Sequence, residues 1–208
     1  MPRVLKAFLI ALLVAAPLAA SPSGARAAMT DDGRKIIESM SQAVIANLKS
    51  RNTPKAEREQ LFNSLLAAHF DIPTIGRWVM GRAWREATPA QRKEYLSLFR
   101  RYVMKTYTKR LSTYAGENFK VTGAAPDGAG VVVYSQIISP DPAEKPIDLK
   151  WRMRPVGGKL KVRDVVIENI SMSLNQRREF ASVYARAGSV DGLIKAIRDK
   201  LAELERGA

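Results

Sequence analysis

The stretch Ile147-Asp148-Leu149-Lys150-Trp151-Arg152-Met153-Arg154 alternates apolar and charged side chains without a break. Side chains alternate across a β-strand with a period of two, so this is a strand with one dry and one wet face. The wet face requires an antiparallel sheet open to water on one side. On the C-terminal side, Val156-Gly157-Gly158-Lys159 is a tight turn and residues 160–171 read as a last strand. On the N-terminal side, residues 140–146 hold three prolines and form a loop. Before that loop come a β-branched strand at 131–139, a turn at 126–130 and a strand at 119–124.

Helical patterns flank these four strands. Residues 32–50 carry an apolar stripe at Ile37, Met40, Val44 and Leu48. Thr53-Pro54 reads as an N-cap followed by proline at the first helical position. The helix it opens offers apolar residues on two faces, Leu61, Leu65 and Ala68 or Phe62, Leu66 and His69. Asp71-Ile72-Pro73 repeats the device and opens a short helix to about Gly81. Thr88-Pro89-Ala90-Gln91 is a capping box that starts a long helix to about Tyr114. Two helices close the chain, one ended by Gly188 and the next capped by Ser189. Runs of helix and runs of strand predict an α+β fold. The expected architecture is a four-stranded antiparallel curved sheet with one face covered by about six helices.

The first residues have a different character. Arg3 and Lys6 precede an uncharged run at 7–20, and Ala25-Arg26-Ala27-Ala28 offers a small-x-small site. This reads as a secretory signal peptide over 1–27, leaving a single exported domain over 28–208. The uncharged run is too short for a span, which needs roughly 20 residues.

Composition bounds the chemistry. The 208 residues carry a formal charge of +14 and no cysteine, which excludes disulfides, thiolate metal sites and a thiol nucleophile. Ten basic residues against Glu86 and Glu94 crowd residues 77–110, interleaved with Trp78, Trp84, Tyr95, Phe99, Tyr102 and Tyr107. Single-stranded nucleic-acid binders combine such residues. Here the aromatics recur at helical spacing, as a core stripe would, and an exported protein rarely meets a genome. No nucleic-acid partner is expected. The only histidine is His69, best read as a helix C-terminal residue tucked against the core. No metal cluster, Gly-x-Ser-x-Gly elbow or nucleotide loop stands out, and neither a cofactor nor enzymatic activity is expected.

Two longer strings are specific. Residues 70–85, Phe-Asp-Ile-Pro-Thr-Ile-Gly-Arg-Trp-Val-Met-Gly-Arg-Ala-Trp-Arg, are followed by Ala87-Thr88-Pro89-Ala90-Gln91. Val162-Arg163-Asp164-Val165-Val166 leads through Ile170-Ser171-Met172, Gln176-Arg177 and Phe180 to Asp191-Gly192-Leu193-Ile194. Together they resemble the MlaC family of periplasmic phospholipid-binding proteins of the toluene-tolerance type. The hopanoid-associated HpnM branch shares much of the pattern. The chain departs from it at Leu160, often aromatic in the family, at Arg163, often Tyr, and at Asn169, often Gly.

The resemblance implies a shuttle in the periplasm that carries a diacyl phospholipid between the outer membrane and an inner-membrane ABC transporter complex with MCE-domain proteins. It implies an outer-membrane lipoprotein complex as second partner, and a role in outer-membrane lipid asymmetry. A hopanoid carrier or an exported lipid-modifying enzyme is the alternative. Acyl chains would lie in an apolar cavity between sheet and helices. Val79, Tyr95, Phe99, Tyr102, Val103, Leu149, Trp151, Met153 and Met172 are candidate lipid-binding walls, although the same residues would serve a filled core. Arg77 and Arg82 are candidates for headgroup contact or docking near the mouth.

Overall fold

The computed structural model describes residues 22–50, 53–111 and 116–206. Most of the expected signal peptide, residues 1–21, and residues 112–115 of the long helix lie outside these. Helix α1 (Pro22–Lys49) starts ten residues before the expected Asp32. α2 spans Lys55–His69, α3 Ile72–Met80, a short α4 Ala83–Glu86 and α5 Pro89–Leu111. Five strands follow: β1 (Asn118–Asp127), β2 (Gly130–Ile138), β3 (Ile147–Val156), β4 (Lys159–Ile167) and β5 (Ile170–Ser171). α6 (Met172–Ala187) and α7 (Val190–Arg206) complete the chain. No described helix is long and apolar enough to cross a membrane.

The caps explain most helix boundaries. Asp71 accepts a bond from the Thr74 amide at 3.3 Å and Pro73 sits in the first turn of α3. Thr88 and Gln91 close the box reciprocally, at 2.9 and 3.2 Å. Gly188 ends α6 in the left-handed region, φ 70°. Thr53 is not the cap of α2; that place is taken by Pro54, without a side-chain bond.

The sheet is an antiparallel meander in the order β1-β2-β3-β4-β5. The expected single strand over 160–171 is corrected to β4, a two-residue turn and β5. Glu168 and Asn169 in that turn have φ 46° and 63°. Asparagine is among the few non-glycine residues that adopt this region readily, which accounts for Asn169 where the family often has glycine. Leu149, Trp151 and Met153 face the helices with Val133 and Ser135 of β2, as the alternation predicts. Trp151 Nε1 donates to buried Ser135 Oγ at 2.9 Å, so its one polar atom is satisfied. One extra residue, Arg163, bulges from β4 between the pairs Arg152–Asp164 and Met153–Val162.

Two solid apolar clusters flank the sheet's dry side. In one, α1 lies on the sheet through Ile37, Met40, Val131, Val133, Met153 and Val162. In the other, α3, α5, α6 and α7 bury Val79, Tyr95, Phe99, Phe180, Leu193, Ile197 and Leu201. α3 and α5 approach closely at Gly76, where an added Cβ would come within 2.7 Å of Leu96. The Tyr95 hydroxyl donates to Gly76 O at 2.9 Å in that contact. α1, α2, α3 and α6 touch the sheet, while α5 and α7 form a second layer behind them.

Candidate functional site

Between the two clusters the helices do not meet the sheet. A cavity of about 610 Å³ remains, within the range of sites for small-molecule ligands. α1 contributes Met40, Val44 and Leu48, and α2 contributes Phe62, Leu65 and Leu66. The junction of α2 and α3 adds Phe70, Ile72 and Ile75, held to the sheet by a bond from the Asp71 amide to Val162 O at 3.0 Å. The floor is Phe119, Ile137, Leu149, Trp151, Val165 and Ile167. Phe119 meets Trp151 edge-on, with centroids 6.3 Å apart. The wall is therefore apolar on all long sides.

Seven of the nine candidate wall residues line the cavity: Val79, Phe99, Tyr102, Val103, Leu149, Trp151 and Met172. Tyr95 and Met153 do not. Both are fully buried in solid core, Tyr95 against Trp84, Phe99 and Phe180, Met153 against α1. Burial pushes the Tyr95 phenol well above its usual pKa, as expected for a hydroxyl closed off from water. Arg77 and Arg82 are also absent from the wall. Arg77 is exposed, and Arg82 pairs with Glu86 at 3.3 Å and lies over the Tyr184 ring.

Half of the basic run, Arg82, Arg92, Arg100, Arg101 and Lys105, has internal partners. Arg92 bonds Trp84 O at 3.0 Å and covers the Trp84 ring. Arg101 pairs with Glu205 at 2.8 Å. Lys105 pairs with Glu59 at 2.7 Å in a mostly shielded contact that ties α5 to α2. These residues clamp helices together rather than facing a ligand.

The polar part of the wall comes from elsewhere. The bulge places Arg163 on the cavity, where Nε and Nη2 bond Asp71 Oδ2 at 3.1 and 3.0 Å. Asp164 accepts from Ser171 Oγ at 2.7 Å and the Ser173 amide at 3.0 Å, fastening β4 to the first turn of α6. Asn175, Gln176 and Glu179 of α6 complete this side. Sequence reasoning missed all of them, because a bulge and a helix start three-dimensionally adjacent leave no spacing to read. It also left open which face of α2 does what. Phe62, Leu65 and Leu66 all reach the cavity, and the doubly apolar pattern of that helix was the available signal.

Fold and site together define an α+β protein that keeps an apolar ligand cavity between a meander sheet and its helices. The profile of the MlaC protein family matches residues 38–199, and the chain belongs to that family. It is similar to the toluene tolerance protein ttg2D of Pseudomonas putida, 26% identical over 216 residues that cover 100% of this chain and 96% of that protein. In fold it is similar to the phospholipid-binding protein from Ralstonia solanacearum, solved in complex with a phospholipid. The TM-score is 0.70 at 24% identity, covering 84% of this chain and 99% of that one.

Proposed function

We propose that this chain is an exported carrier that holds a diacyl phospholipid with its acyl chains in the cavity. It shuttles across the periplasm between an outer-membrane lipoprotein complex and an inner-membrane ABC transporter complex bearing MCE-domain proteins, and so sustains outer-membrane lipid asymmetry. The observation that carries this reading is the apolar cavity of about 610 Å³ walled by sheet and helices. A diacyl lipid in water exposes roughly 30 methylenes at about 0.8 kcal/mol each, on the order of 20 kcal/mol in all. A soluble carrier must hide that surface, and an open space between two finished cores is the means. Family membership and the phospholipid complex of the similar fold support the same assignment. Arg77 and Arg82, off the wall, serve docking on a partner complex rather than the ligand.

The test is native mass spectrometry of the purified protein, followed by extraction and identification of the bound molecule. One intact phospholipid per chain is expected. A hopanoid in the extract would move the chain to the hopanoid-carrying branch, and free fatty acid accumulating on incubation would make it a lipid hydrolase. Lipid transfer between membranes by an Arg77→Glu, Arg82→Glu variant should fall while its lipid loading persists. Undiminished transfer would remove the docking role.

A further inference from the structure

The floor of the cavity runs out from under the helices at one corner of the sheet. Residues paired directly across neighbouring strands share a face. Leu149 pairs with Ile167, and Ile167 pairs with Ile170, so all three stand on the cavity face. Ile147, two residues before Leu149, stands there too and pairs with Ile137 of the wall. Leu149 is buried and Ile167 half-buried. Ile147 and Ile170, one step farther out, are 42% and 57% exposed. The turn between β4 and β5 is tied to the start of β3. Glu168 Oε1 accepts from the Asp148 amide at 2.6 Å, and Asn169 Oδ1 accepts from Lys150 Nζ at 2.9 Å. The alternation of β3 sends Asp148 and Lys150 to the opposite face. One exposed isoleucine alone would carry no meaning. Two that prolong the floor of an apolar cavity form a fixed, uncovered ledge.

Resting on the phospholipid-carrier reading, we infer that Ile147 and Ile170 form the ledge over which acyl chains pass between the cavity and a bilayer. Every methylene that crosses open water raises the barrier to transfer, so the easiest route leads from one apolar surface directly to the next. The ledge supplies that continuity at the one corner where the cavity face of the sheet lies bare. Both side chains are β-branched and stiff, so the surface keeps its shape without a partner. Ile170 lies off the cavity wall, so it meets a lipid in transit and not one fully housed. It therefore governs how fast a lipid crosses rather than how tightly it is held. The contact is apolar, so it needs no particular headgroup and is insensitive to salt. Tyr134 of β2 is the natural control: it is exposed, but it pairs with Lys150 and stands on the opposite face of the same sheet.

The experiment is lipid exchange with bare vesicles. Purified protein carrying its lipid is mixed with an excess of phosphatidylcholine vesicles. The rate of lipid exchange and the amount bound at equilibrium are both measured. Ile170→Asp should slow exchange at least about tenfold, the scale of one aliphatic side chain lost from an apolar contact. The amount bound at equilibrium should stay the same. Adding Ile147→Asp should slow exchange further, and Ile170→Leu should keep the wild-type rate. Tyr134→Asp should leave rate and loading unchanged, and the wild-type rate should be equal at low and high salt. Ile170 is more than half exposed, so its variants should fold, checked by thermal unfolding. An unchanged rate in Ile170→Asp, an equal slowing in Tyr134→Asp, or a parallel loss of rate and bound lipid overturns the ledge and leaves the carrier standing. So does a wild-type protein that holds phospholipid but exchanges none with vesicles. A protein that neither carries nor takes up phospholipid overturns both.

Discussion

The two halves of α5 share one apolar stripe and have opposite fates. In the first half Tyr95 and Phe99 stack with centroids 5.8 Å apart, and Phe180 of α6 meets both rings edge-on at 6.2 Å. Both rings are fully buried, and only the edge of Phe99 reaches the cavity. In the second half Tyr102, Val103, Thr106 and Tyr107 look onto the cavity. Thr106 Oγ1 there is buried without a hydrogen-bond partner. What separates the halves is what lies against the stripe: Phe180 of α6 fills the space beside Tyr95 and Phe99, whereas farther along the stripe borders the cavity that α1, α2 and the sheet also line. An amphipathic stripe says which side of a helix avoids water. It does not say whether protein or ligand will be found there.

The largest expected difference is in stability. Phe180→Ala removes the ring that Tyr95, Phe99 and Tyr102 all touch, and large-to-small changes of this kind cost about 3–5 kcal/mol. Denaturant unfolding of lipid-free protein measures it. A loss below 1 kcal/mol would mean that the first half of α5 is as loosely met as the second.

A smaller energetic effect, but a larger functional one, is expected across the boundary. Val103→Trp adds bulk into the cavity. In a filled core such an insertion costs about 1–3 kcal/mol. Here the side chain borders the cavity, so lipid-free stability should change by less than about 1 kcal/mol while lipid loading falls at least about tenfold. Destabilisation beyond about 2 kcal/mol with loading intact would show that Val103 sits in core and that the comparison is drawn in the wrong place.

The contrast also explains what was legible beforehand. β3, the α3 cap, the Thr88–Gln91 box and Gly188 are local devices, and each stands where its residues placed it. The break at 168–169 is not local: Glu168 takes φ 46° with its amide bonded to Asp148 O at 3.0 Å, while Lys150 Nζ donates to Asn169 Oδ1 at 2.9 Å. The start of β3 holds that turn, and Glu-Asn alone does not announce it. Seven wall residues were legible as apolar faces. Tyr95 and Met153 were misplaced for the same reason, since a cavity is a failure of two surfaces to meet. The rim around Arg163 and Glu179 depends on a bulge and on one junction between β4 and α6, and neither has a sequence period.

The smallest effect expected concerns His69, at the end of α2 near Lys161 of β4. A helix C-terminus ordinarily favours a protonated imidazole. Here burial comes first in lowering its pKa, and the nearby Lys161 ammonium adds to the shift. Lys161 Nζ bonds Ala68 O and lies 3.3 Å from Ala67 O, so a cation already occupies the carbonyls that would have welcomed a charged His69. The folded pKa thus lies below the ordinary value of about 6.5, and on acidification the unfolded chain takes the proton first. The stability His69 contributes is complete above pH 6.5 and is lost as the pH falls from there through the folded value. Because His69 is the chain's only histidine, one imidazole signal in an NMR titration reports it without ambiguity. Lys161→Met should move that titration upward and shrink the loss of stability between pH 7 and 5.5. A wild-type midpoint above 6.5 would show that the helix terminus, and not burial with Lys161, governs the end of α2.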